Sequence, residues 1–137
     1  MPVPFQGGCL CGDIRYECSA LPKYTYFRHC RDCQKASGSA FHAGIMVAKE
    51  AVRLLSGVPT AYTVTGASGK TIAREFCPRC GSPLFLKLAM YEKNLVIKAG
   101  SMDDPSWLEP QAHLWTRTEM PWAHLEDGLE RMPEVHG

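Results

Sequence analysis

The sequence predicts an all-β fold, a sandwich or open barrel of short strands, from three observations. Apolar and polar residues alternate in short runs along most of the chain. Clusters of Gly, Pro, Ser and Asp separate these runs at short intervals, as in Ser56-Gly57-Val58-Pro59, Gly66-Ala67-Ser68-Gly69 and Asp103-Asp104-Pro105-Ser106. No segment keeps a helical period, and many short strands divided by turns give a layered β domain.

Taken in order, the stretch 13–18 alternates, with Ile14, Tyr16 and Cys18 on one face. Cys18 then reads as a small buried hydrophobe. The stretches 24–27, 41–47, 52–55 and 61–65 are also strand-like, as are 71–76, 84–88 and 95–100. Residues 34–37 have room for one helical turn. Residues 1–125 form a single domain. Residues 126–137 are polar with one proline and read as a loosely held C-terminal tail.

At 137 residues the chain has the size of one domain, with a core that a structural metal would supplement. Charge is nearly balanced, 15 Lys and Arg against 14 Asp and Glu, and there is no basic run. Nucleic acid and anionic membrane surfaces are therefore disfavoured as partners. The apolar stretches are too short to span a bilayer. The opening Met1-Pro2-Val3-Pro4-Phe5 lacks the charged and apolar regions of a signal peptide. These features predict a cytoplasmic protein. In a reducing compartment, paired cysteines serve as metal ligands or redox groups more often than as structural disulfides.

Six of the seven cysteines form tight pairs: Cys9-Leu10-Cys11, Cys30-Arg31-Asp32-Cys33 and Cys77-Pro78-Arg79-Cys80. Such loops aim two thiolates at one point, as tetrahedral zinc requires. Gly12 and Gly81 follow the first and third pairs, where positive φ lets backbone N–H groups turn back to the sulfurs. Two pairs make one closed site, and the third leaves two ligands over. A zinc joining Cys9 and Cys11 to Cys77 and Cys80 would close a long loop. By analogy with a covalent cross-link, that removes about 4 kcal/mol of unfolded-chain entropy. For Cys30 and Cys33 three readings stand open: a second zinc with a borrowed ligand, a free or reversibly oxidised dithiol, or a pair without chemistry.

The run Gly7-Gly8-Cys9-Leu10-Cys11-Gly12-Asp13-Ile14-Arg15-Tyr16 resembles the opening of the glutathione-dependent formaldehyde-activating enzyme family, which includes centromere protein V. The resemblance continues through His29-Cys30-Arg31-Asp32-Cys33-Gln34-Lys35-Ala36-Ser37-Gly38 and returns at Phe76-Cys77-Pro78-Arg79-Cys80-Gly81-Ser82. It closes with Gly100-Ser101-Met102-Asp103-Asp104, His113-Leu114-Trp115 and Pro121-Trp122. It implies an Mss4-like zinc-stabilised β fold of short antiparallel strands. It also implies a structural zinc on Cys9, Cys11, Cys77 and Cys80, and a catalytic zinc on a Cys-His-Cys-x-x-Cys block. Here that block reads Arg28-His29-Cys30-Arg31-Asp32-Cys33, so Arg28 stands where the pattern has its first cysteine.

The activity so implied is that of a zinc-dependent carbon–sulfur lyase, S-hydroxymethylglutathione synthase-like. It acts on a glutathione-like thiol and a small aldehyde such as formaldehyde, with Cys30 and Cys33 as catalytic residues. Arg28 cannot ligate zinc, because a guanidinium has no lone pair to give. It reads either as a substrate-binding residue gripping a carboxylate in a two-pronged contact or as a surface arginine. His29 is the nearest candidate for a replacement ligand, although on an extended strand its side chain points away from its neighbours'. His42 and His113 are further candidates, and His113 also reads as a hydrogen-bonded structural histidine. Two other functions compete: a non-catalytic zinc-binding module for a small ligand or protein, and redox sensing by the Cys30/Cys33 dithiol.

Overall fold

The structure is a computed structural model and describes residues 2–135. The strands are β1 (Phe5–Gly8), β2 (Arg15–Cys18), β3 (Tyr24–Arg28), β4 (His42–Ala48), β5 (Val52–Ser56), β6 (Thr60–Thr65), β7 (Thr71–Phe76), β8 (Pro83–Leu88), β9 (Asn94–Lys98), β10 (Ala112–Leu114) and β11 (Glu130–Met132). One helix, α1 (Arg31–Ser37), joins β3 to β4. The strands sort into a small sheet of order β1-β2-β5 and a large one of order β11-β10-β3-β4-β9-β8-β7-β6. This is the all-β architecture that the alternation predicts, in open sheets rather than a closed barrel.

The pleat sends alternate residues of the large sheet to opposite sides. One side carries Ile45 and Val47 of β4 and Leu95 and Ile97 of β9, which pack against Phe5, Ile14, Tyr16 and Cys18 of the small-sheet layer. Tyr16 meets Phe85 edge-on, ring centres 5.1 Å apart, and its hydroxyl lies 2.8 Å from Ser101 Oγ. Gly7 permits this closeness, since a Cβ there would fall 2.3 Å from the Tyr16 hydroxyl and 2.4 Å from the Ser101 carbonyl oxygen.

The other side carries Tyr26, Val96, Leu86, Leu88, Ile72, Ala112 and Leu114. The register places a polar group at one end of this second face. Arg28 pairs with His42 across β3 and β4, and Gly44 pairs with Lys98 across β4 and β9. Arg28, His42 and Lys98 are all buried.

Three features depart from expectation. First, strand pairing is not wholly antiparallel: β10 runs parallel to β3 and to β11. The chain enters β10 by a long crossover after β9 rather than by a hairpin, and a crossover delivers a strand in either sense. Second, the segment read as a loose tail supplies β11, whose Met132 packs on the second apolar cluster with Val135. An open strand edge recruits backbone whatever the polarity of its side chains. Positions 136 and 137 lie outside the described residues. Third, α1 starts three residues before the single turn expected at 34–37. Its seven residues are too few to register as a period, and its ends are set by capping instead.

Candidate functional site

The first candidate site is the meeting of two loops at the edge of the sandwich. Sulfur atoms of Cys9, Cys11, Cys77 and Cys80 all lie within 4.8 Å of one another. Cys9 and Cys11 sulfurs are 3.6 Å apart, and those of Cys11 and Cys77 are 3.8 Å apart. Four thiolates about 2.3 Å from a central zinc would stand about 3.8 Å apart along the tetrahedron edges. The cluster could therefore hold a metal ion of that size. Gly12 and Gly81 adopt φ of 84° and 78°, the left-handed turns expected of them.

Backbone N–H groups then point at the sulfurs: Ile14 donates to Cys9 Sγ at 3.2 Å, and Arg79 and Cys80 donate to Cys77 Sγ at 3.4 and 3.5 Å. The Ser82 hydroxyl, 3.2 Å from Cys80 Sγ, is the main cause that brings the Cys80 thiol down to about 5. Cys11 moves the opposite way. The Asp13 backbone lowers it, but burial and the thiols of Cys9, Cys80 and Cys77 push it up to about 12. Four thiolates this close cannot all ionise without a cation between them.

The second site is the Cys30/Cys33 pair. Cys30, two residues beyond β3, is extended and caps α1, accepting the Cys33 N–H on its sulfur at 3.3 Å. The helical turn brings the Cys33 thiol to 2.6 Å from Cys30 Sγ. Gly38, at φ 70°, ends the helix by donating its N–H to Gln34 O at 2.9 Å. The buried Gln34 amide fixes the helix against the body, donating to the carbonyls of His29 and Thr118, each at 2.9 Å.

Cys30 is half-buried and Cys33 is buried, 4% exposed. The Cys33 thiol hydrogen bond is the main cause that takes Cys30 down to about 6. Burial opposes the change, while Arg28, the Cys33 N–H and Arg74 assist it. The same hydrogen bond, with burial, drives Cys33 upward.

Lys98 lies near enough for both sulfurs of this dithiol to act on it electrostatically. Burial lowers its amine to about 8, against the raising influence of Cys33. Its Nζ lies 2.9 Å from His42 Nδ1, and His42 Nε2 lies 3.3 Å from the Tyr26 hydroxyl. Burial first, then Lys98 and Arg28, hold His42 well below the usual histidine range, so it is neutral. Lys98 borders two cavities. One, of about 590 Å³, also has Ser37, His42, Arg15 and Asp103 on its wall. The other, of about 310 Å³, has Ala36, Tyr62, Arg74, Phe76 and Leu86.

A second zinc at Cys30 and Cys33 does not suit the donor set. Among the described residues, no group of three or more potential ligands other than the four-cysteine cluster comes together. His29 Nε2 is 2.8 Å from His113 Nδ1, and His113 Nε2 is 2.8 Å from the Asp127 carboxylate. His29 Nε2 and both ring nitrogens of His113 are thus engaged away from the dithiol, while His29 Nδ1 is buried without a hydrogen-bond partner and does not group with the two sulfurs; His42 is engaged with Lys98 and Tyr26. Arg28 is buried, 8% exposed, rather than a surface arginine.

Two contributors escaped the sequence reading. Lys98 had a signal, a lysine ending the apolar run Leu95-Val96-Ile97, since lysines are seldom fully buried without a reason. Arg74 had none, being one charged residue in an alternating strand.

The family model described as glutathione-dependent formaldehyde-activating enzyme matches residues 4–118. The chain belongs to that family. The matched stretch contains both cysteine sites and Lys98, and it stops before Asp127 and β11. A crystal structure of a Rhodobacter sphaeroides protein has the same fold, with a TM-score of 0.59 and 16% identity over 77% of this chain and 91% of that one. No curated protein matches the chain. Among the described residues, no helix is long and apolar enough to cross a membrane.

Proposed function

We propose that this protein adds a glutathione-like thiol to a small aldehyde such as formaldehyde, an S-hydroxymethylglutathione synthase-like, carbon–sulfur lyase-type reaction. Membership of the family over residues 4–118 is the observation that carries this reading. Zinc on Cys9, Cys11, Cys77 and Cys80 is structural in this account, tying the two cysteine loops together. No step passes through a second metal.

The chemistry falls to Cys30 and Lys98, whose thiol and amine are pulled towards neutrality from opposite sides, to about 6 and about 8. Between those values the thiol is ionised and the amine protonated, which is the pairing a base and an acid need. Cys30 thiolate takes the proton of the substrate thiol. The substrate sulfur attacks the carbonyl carbon, and the π pair moves to oxygen. Lys98 ammonium gives that oxygen a proton, and the Cys30 thiol then returns one to Lys98. The balance is RSH plus H2CO giving RSCH2OH. Arg74 on the cavity wall suits a carboxylate of a glutathione-like thiol. Cys33 holds Cys30 in its ionised state, and Arg28 assists from beneath as a buried cation rather than as a substrate clamp.

The test is the rate of S-hydroxymethylglutathione formation from glutathione and formaldehyde over the spontaneous reaction. The zinc-loaded wild type is expected to accelerate it, and Cys30→Ser and Lys98→Met each to lose at least about tenfold. The arginine at position 28, where the family pattern supplies a ligand, favours a second reading, a non-catalytic binding module. Saturable glutathione binding with no acceleration would establish that one instead.

A further inference from the structure

The Cys30/Cys33 pair has a geometry that addition of a thiol to an aldehyde does not require. The two sulfurs are in direct contact, whereas those of the four-cysteine cluster stand 3.6 and 3.8 Å apart. The clustered cysteines are spaced around room for an ion; Cys30 and Cys33 are not. Nothing among the described residues completes a metal site with them. All seven cysteines are free thiols in the structure.

The pair is also asymmetric. Cys30 is partly open to solvent and Cys33 is buried behind it. An outside reagent meets Cys30 first, and only an internal group can reach Cys33. Cation character surrounds them: Arg28 acts on both sulfurs, Arg74 on Cys30 and Lys98 on Cys33. An accessible sulfur, a buried partner in contact with it and a cationic surround are the parts needed for thiol–disulfide exchange with a small anionic reagent.

We propose that Cys30 and Cys33 form a redox-active dithiol that exchanges with low-molecular-mass disulfides bearing carboxylates. Cys30 thiolate attacks one sulfur of R–S–S–R. That bond breaks, a Cys30–S–S–R mixed disulfide forms, and RS⁻ leaves and takes a proton from solvent. Cys33 gives up its proton and attacks Cys30 Sγ. The Cys30–Cys33 disulfide forms, and the second RS⁻ departs and is protonated. Two electrons pass from the protein to the reagent: one dithiol and one disulfide become one protein disulfide and two thiols. Two reducing thiols reverse the sequence. This activity does not depend on the aldehyde chemistry proposed above.

The experiment exposes full-length, zinc-loaded, fully reduced protein to glutathione disulfide without any aldehyde, followed by intact mass and peptide mapping. Wild type is expected to lose two hydrogens at Cys30 and Cys33 with its zinc retained. Cys33→Ser is expected to trap one glutathione on Cys30. Cys30→Ser is expected to react about tenfold or more slowly. Zinc content and melting temperature near wild type show that the variants are folded. The proposal fails if the folded Cys33→Ser protein carries its adduct elsewhere or carries none. It fails equally if wild type forms no Cys30–Cys33 disulfide, or if the pair holds a zinc that blocks the reaction. Formaldehyde turnover, measured separately, reports on the other activity alone.

Discussion

The amine of Lys98 stands 2.9 Å from Nδ1 of His42, across 56 positions of sequence, and both side chains are buried. A neutral imidazole accepting from a buried amine gives Lys98 a hydrogen bond without giving it a counter-charge. The amine thus keeps its orientation while burial lowers its proton affinity to about 8.

The first consequence is a pH profile. Formation of the thiol–aldehyde adduct is expected to rise as pH climbs through about 6, where Cys30 ionises, and to fall as it passes about 8, where Lys98 loses its proton. Rates corrected for the spontaneous reaction, measured from pH 5 to pH 9.5, give the two limbs. In Lys98→Met the alkaline limb is expected to vanish. A profile that keeps it would remove Lys98 from the proton transfer.

His42 carries a stability signature of its own. Burial holds its pKa well below the ordinary value of 6.5, so the unfolded chain binds a proton that the folded chain refuses. Stability is therefore full above about 6.5 and falls as pH drops below it. His29 is depressed in the same sense, by burial and by His113. Melting temperature is expected to decline from pH 7 to pH 5.5, and His42→Gln to flatten part of that slope. An unchanged slope in the variant would assign the acid sensitivity to other groups.

Metal content separates the two cysteine sites. Elemental analysis is expected to find one zinc per chain in wild type, one in Cys30→Ser/Cys33→Ser, and none in Cys77→Ser/Cys80→Ser. Loss of the metal is expected to cost several kcal/mol, about 4 by the loop-closure estimate, read as a lower denaturation midpoint. Two zincs in wild type would overturn the metal-free dithiol.

Gly44 leaves the space in which the His42 ring lies. A Cβ there would fall 2.6 Å from Cε1 and Nε2 of that ring, which Lys98 and Tyr26 hold in place. Gly44→Ala is expected to cost about 1–3 kcal/mol and to reduce turnover by disturbing Lys98 through His42. Urea denaturation and kcat together check this. A silent substitution would mean that the ring is free to move.

The strand-rich architecture is legible in the chain alone, because alternation such as Ile14, Tyr16 and Cys18 has period two, which a half-buried strand satisfies. The local turns of the cysteine pairs are legible too, since Cys9-Leu10-Cys11-Gly12 and Cys77-Pro78-Arg79-Cys80-Gly81 aim their own sulfurs; that these two pairs share one site came from the family resemblance, not from the spacing. The rest is set by how distant segments meet. The burial of Lys98 and its contact with His42 depend on the register between β4 and β9, and register is a property of two strands that no single segment encodes. The pairing of His29 with His113 and Asp127 depends on β10 lying parallel to β3 after a long crossover. The recruitment of β11 depends on an open sheet edge rather than on its own polar residues. Whether Cys30 and Cys33 would find a third ligand was likewise a question of which side chains the sheet carries to them. The register answers it by placing Arg28 beside His42, turning His29 away towards His113, and leaving the two sulfurs with each other.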